Sequence, residues 1–197
     1  MLVVRRSDVG RPALARMLRE GVVAPLVGGT ARPLDVPDSP GLRAHVAAPV
    51  MPRATVLTGL GALWVHGCVD AAPLPWCAVG TRGHHRKDDA RIAVRSGVTL
   101  RHATRIGPLA LAPPPRACLD ALRWEPPDLA LGAVVGALRA GGVTADELSA
   151  ALAHESPRGG GYRRLRSLVT AVLDTAAPGR AAPASRAGPV SRAASRR

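Results

Sequence analysis

A chain of 197 residues, 47% of them hydrophobic, is long enough for one domain or two small ones and for a real core. Its formal charge of +13 invites a polyanionic partner; because Lys87 is the only lysine, the surplus of arginine beside abundant Ala, Gly and Pro equally fits a GC-rich coding bias. No apolar run approaches the roughly 18–20 residues of a membrane span, and Arg5, Arg6 and Asp8 interrupt the start where a secretory leader would be apolar, so a soluble, cytoplasmic protein is expected.

Residues 10–20 (GRPALARMLRE) predict a helix. Pro12 suits the first turn, Leu14, Met17 and Leu18 fall at i, i+3 and i+4, and Gly21 is a stop signal. Arg11, Arg16 and Arg19 lie away from that apolar face. Two β-prone runs, 22–27 and 31–36, follow on either side of Gly28, Gly29 and Thr30, a hairpin turn by composition. A basic helix running directly into a two-stranded ribbon matches the rear half of a winged helix-turn-helix, whose helix enters the major groove while the wing touches the backbone. In that reading Arg11, Arg16 and Arg19 meet phosphates or base edges, and Arg32 reaches the backbone from the wing. An ordinary amphipathic helix packed beside a hairpin has the same periodicity.

Breaker-rich stretches at 35–40 (DVPDSP) and 49–52 bracket a short helix candidate, 41–48. They divide the chain into a truncated winged-helix-like DNA-binding segment, 1–40, an α+β domain with C-terminal helices, 41–174, and a tail, 175–197. Residues 53–66 are predicted as one helix stopped by Gly67. Its Gly59, Gly61 and Ala62 permit close backbone approach, and Leu57, Leu60, Leu63 and Trp64 supply bulk to pack. With Phe absent and Tyr162 the only tyrosine, Leu, Val, Ala and three Trp must fill the core.

Strand-like runs at 76–79, 90–95 and 105–112 predict a small central sheet backed by that helix. Helices are then expected at 114–124, 128–140, 144–154 and 162–174. The first carries a charged outer edge at Arg116, Asp120 and Arg123, and the third a capping box, Thr144 with Glu147. In the last, Arg163, Arg164 and Arg166 crowd a helix start where the dipole prefers anions; water solvates them, or an acidic or phosphate-bearing partner does. After Asp174 there are five arginines and no acid, in an Ala, Pro, Ser and Gly background that predicts disorder, as a solvated linker or a nonspecific phosphate-binding arm.

The order of these landmarks resembles the AbiEi-type antitoxin family, the DNA-binding half of type IV toxin–antitoxin pairs, in its actinobacterial versions. RPALARMLREGVVAPLVGG (11–29) is similar to the family's recognition helix and wing. VLTGLGALWVHG (56–67) is similar to its small-residue helix ending in His–Gly, and PPPRACLDAL (113–122) to its proline–arginine–aspartate helix start. The resemblance spans about 9–174 and implies a non-enzymatic regulator that represses its own promoter, binding double-stranded DNA, and counteracts a nucleotidyltransferase-like toxin. It also implies two helices ahead of the recognition helix, whereas nine residues precede Gly10, so the expected winged domain is a partial one. A protein-interaction module without DNA binding is the alternative, and a hydrolase or nuclease ranks last.

No catalytic constellation stands out, and no cofactor or metal is expected. His84, His85, Asp88 and Asp89 are ligand types suited to zinc, but adjacent ligands splay apart and a polar hairpin tip has the same composition. His66 is read as satisfying a neighbouring backbone group. Cys68, Cys77 and Cys118 form an odd, scattered set without CxxC and are read as reduced core residues. Gly28–Thr30 and Gly159–Gly161 lack the GxxxxGK[ST] pattern of a phosphate loop.

Overall fold

The computed structural model describes residues 3–72, 74–80, 92–95, 103–157 and 161–177, and the chain is α+β. At the N-terminus, β1 (Val4–Arg5) leads into a single turn, α1 (Arg6–Val9), and then α2 (Arg11–Arg19). The antiparallel hairpin of β2 (Val23–Pro25) and β3 (Thr30–Pro33) follows, as the turn chemistry predicts. Gly28 and Gly29 hold φ of 61° and 78°, a left-handed pair that glycine alone adopts freely. Val4 pairs with Ala31, giving a three-stranded sheet in the order β1-β3-β2. This unit has its own small core of Val4, Leu14, Val23 and Ala31, with Val9 and Met17 against it.

Pro40–Ala47 form α3, one residue earlier than predicted because Ser39 is the cap, its hydroxyl accepting from the Leu42 N–H at 3.2 Å. Within α3 lies a buried arginine that periodicity did not flag. Arg43 makes a two-pronged contact with Asp38 (2.8 and 2.7 Å), donates to the carbonyls of Trp64 (2.6 Å) and Val69 (3.1 Å), and lies over the Trp64 ring. The Arg43 hydrogen bonds and charge hold the Asp38 carboxyl below the usual range, against a smaller opposing effect of burial.

The predicted helix over 53–66 is in fact two elements. Thr55–Thr58 are a strand, β4, and only Gly59–His66 are helical, as α4. The break is physical. Val56, Leu57 and Thr58 are buried on both faces, so the run lacks the alternation that marks a half-exposed strand, and β-branched residues flank it. Gly59 then turns the chain at φ 62°, under the Glu125 carboxylate, where a Cβ would fall 2.7 Å from Oε1. Burial raises the pKa of Glu125, against a smaller opposing effect of the Leu60 backbone N–H at the start of α4.

β4 sits at the centre of a five-stranded mixed sheet, order β6-β5-β4-β8-β7, with β5 at Trp76–Gly80 and β6 at Ile92–Arg95. The run 105–112, expected as one strand, is a hairpin of β7 (Thr104–Ile106) and β8 (Leu109–Leu111), because Gly107 turns it. Leu57 pairs in parallel with Leu111 and antiparallel with Ala78. α4 has every residue but His66 buried, and it packs chiefly on α5 (Pro114–Trp124), against which α6 (Pro127–Arg139), α7 (Ala145–Ala153) and α8 (Tyr162–Ala176) gather. Gly61 is the close approach its size predicts: a Cβ there would lie 2.9 Å from both Leu57 Cδ1 and Trp76 Cγ.

The capping box forms in full, Thr144 Oγ1 accepting from the Glu147 N–H at 3.2 Å and Glu147 Oε2 from the Thr144 N–H at 2.8 Å. Thr144→Ala is expected to cost about 1 kcal/mol, read as a lower urea midpoint at unchanged slope. α8 runs two residues past its predicted end, so Thr175 and Ala176 are helical rather than part of the tail; the tail from residue 178 on, and the tract from His84 to Asp89, lie outside the described residues.

The charged outer edge expected on α5 is instead largely interior. Asp120 is fully buried, its Oδ2 accepting from the Thr58 hydroxyl (2.6 Å) and from Arg116 Nε (3.1 Å), while Arg116 Nη2 stands 3.0 Å from Oδ1. Glu155, just beyond α7, bridges Arg116 and Arg123 with its two oxygens. Burial pushes the Asp120 carboxyl up from its ordinary range, opposed by the Arg116 charge and by the bonds from Thr58 and Arg116. Burial acts in the same sense on Glu155, but there the bond from Arg123 and the two arginine charges outweigh it and the carboxyl ends below its usual range.

Candidate nucleic-acid interface

α2 needs one face for packing and frees the rest. Leu14 is its only buried residue and Met17 is half-buried. At about 3.6 residues per turn, Arg11, Arg16 and Arg19 share the outward arc, with Arg19 opposite the Leu14 and Met17 side. All three are exposed. Arg16 is not a free cation: its Nε donates to Glu20 Oε1 at 2.7 Å, in a pair whose arginine side chain is still 73% accessible. Such an exposed i, i+4 pair is worth little and yields readily to a stronger anion.

Arg32, expected to reach the DNA backbone from the wing, contacts its own chain. It is half-buried, and its Nη1 donates to the carbonyls of Val36 (2.6 Å) and Pro33 (3.4 Å), tying down the chain that leaves β3. In its place, the pairing of β1 with β3 brings two arginines to the hairpin that sequence reasoning assigned no role. Arg5 lies opposite Thr30. Arg6 is exposed, donates its backbone N–H to the Gly29 carbonyl at 2.9 Å, and runs its side chain past Gly29. A two-residue strand leaves no periodic signal, so only the adjacent arginines themselves hinted at this.

Arg163, Arg164 and Arg166 are exposed on the first turns of α8, a separate element. Arg163 and Arg166 border an open groove of about 550 Å³ with Ser167, Thr170 and Asp174.

The remaining candidates carry structural roles. His66 Nε2 lies 2.9 Å from the Ala112 carbonyl, and burial lowers its pKa against that bond. Cys77 and Cys118 are buried with thiols pushed up to about 12 by burial, and Cys68 is half-buried with its thiol raised for the same reason, so each is protonated at neutral pH. Among the described residues no three His, Cys, Asp or Glu side chains cluster as metal ligands, and no helix is long and apolar enough to cross a membrane.

The chain matches no family model and no curated protein.

Proposed function

We propose that the N-terminal unit docks on double-stranded DNA and that the protein is a transcriptional regulator of the kind its resemblance to AbiEi-type antitoxins implies. The observation that carries this is the outward arc of Arg11, Arg16 and Arg19 on a helix that buries a single residue, set beside a hairpin. The strand order β1-β3-β2, with α1 and α2 inserted between β1 and β2, supports a winged-helix reading in which α2 is the recognition helix. Arg6 at the hairpin turn then replaces Arg32 as the wing contact to backbone phosphate. The groove assignment, the promoter as target and the cytoplasmic setting all belong to this proposal. So does a nucleotidyltransferase-like toxin as second partner, which Arg163, Arg164 and Arg166 would meet through acidic groups.

Mobility-shift titration against the upstream region tests it. Binding is expected to weaken steeply with salt, and Arg11→Ala and Arg19→Ala each to lower the log–log salt slope by about one. Unchanged affinity and slope in both variants would remove α2 from the interface. A second reading, a protein-interaction module without DNA binding, is favoured by the inward turn of Arg32 and the Arg16–Glu20 pair; it predicts no shift at any salt concentration.

A further inference from the structure

A cleft of about 340 Å³ opens at the end of the central sheet where β4 begins, between the 51–55 loop and the β7–β8 hairpin. Its apolar lining comes from Met51, Val56 and Leu109, and its charged groups are Arg53 and Arg105, both exposed. Among the described residues no acidic one lines it. We propose that this cleft binds a small phosphorylated metabolite, with the phosphate held between Arg53 and Arg105 and an organic portion on the apolar lining.

Three observations carry the assignment. First, two arginines line one concavity with no carboxylate among its described lining residues, so an anion entering it meets two positive charges and no negative one. Guanidinium forks match phosphate oxygens in pairs, which lysine or a lone backbone amide does not.

Second, both walls are pinned. The Thr55 hydroxyl donates to the Pro52 carbonyl at 2.7 Å across the turn that carries Arg53, and Arg105, on β7, donates through Nη2 to the Pro108 carbonyl at 3.3 Å in the turn that follows it. Between Arg53 and Thr55, Ala54 holds φ 58°, a left-handed conformation that a residue with a Cβ seldom adopts and that surrounding structure must enforce. Third, the volume lies at the lower end of the range for small-molecule sites and suits a mononucleotide-sized ligand.

The proposal stands apart from the DNA-binding reading, since neither arginine is on α2 or its hairpin. Calorimetric titration of the full chain with inorganic pyrophosphate and with adenosine 5′-monophosphate tests it, beside a 12-base-pair duplex of arbitrary sequence. The expected result is saturable binding of at least one small ligand below millimolar concentration, weakened at least tenfold by Arg53→Gln and by Arg105→Gln and unchanged by Arg19→Gln. Both cleft variants alter exposed side chains, and their unchanged thermal midpoints would show that folding is intact. Absence of binding by either small ligand overturns the proposal. So does binding that Arg19→Gln weakens and the cleft variants do not, because the ligand then sits on α2. A duplex that loses affinity in the cleft variants while neither small ligand binds would assign the arginines to nucleic-acid phosphate instead, and the metabolite site falls.

Discussion

Asp120→Ala is expected to destabilise the protein by about 3 kcal/mol, a large share of the roughly 5–15 kcal/mol that hold a domain together. The carboxylate is fully buried and answers two donors, the Thr58 hydroxyl on β4 and the Arg116 guanidinium one turn earlier on α5. Alanine leaves the hydroxyl unpartnered and Arg116 with Glu155 alone. Removing one member of a buried pair costs more than the pair contributes, because the survivor keeps its desolvation penalty. Arg116 is still 17% accessible, which places the expected loss at the lower end of the usual range. Urea unfolding measures it, as a lower midpoint at unchanged slope. Asp120→Asn, which keeps an acceptor for Thr58, is expected to lose less. A loss below about 1 kcal/mol for the alanine variant would mean that water reaches the site.

Trp76→Ala is expected to cost about 3–5 kcal/mol. Trp76 opens β5 at 2% exposure, stacks on Trp64 with ring centroids 5.6 Å apart, and donates its indole N–H to the Ala72 carbonyl at 3.1 Å. No Phe and a single Tyr are available elsewhere, so these two indoles supply the aromatic bulk of the main core. Gly61 packs directly on the ring, and the bare helix backbone there has no side chain to swing into the space that alanine leaves. The remaining void, rather than lost area alone, drives the cost. Thermal unfolding followed by near-ultraviolet circular dichroism reads both the shift in midpoint and the loss of the coupled indole signal. A variant within about 1 kcal/mol of the parent would show that the core collapses around the gap.

What was legible in the sequence was what repeats or punctuates locally. α2, α5 and the capped α7 follow from apolar spacing, a proline in the first turn and the Thr144–Glu147 box, and the Gly28–Gly29 turn marks its hairpin. The small residues of α4 announced a close approach, though not that Trp76 would be the partner. Features set by distant residues were hidden. β4 reads as helix because it is apolar on both faces, and its strand character comes from β5 and β8. Asp120 four residues after Arg116 looks like a surface pair, and only Thr58 and Glu155 make it interior. The candidate interface divides the same way: the arc of Arg11, Arg16 and Arg19 is visible in the spacing, whereas Arg32 turning inward and Arg6 standing at the hairpin depend on chain packing that no local pattern encodes.

The middle strand of the large sheet waits for its second neighbour. β5 follows it closely, but β8 and the α5 carboxylate come from far along the chain, the Thr58–Asp120 bond spanning 62 residues. A nascent chain emerging from the ribosome therefore carries β4 with one edge bare until β8 has been synthesised, and must close a long loop before that edge is covered. Because loop closure precedes the contacts that reward it, refolding is expected on a slower timescale than the helical half of the molecule would set by itself. In that interval the bare edge is where a second, equally unfinished chain could pair.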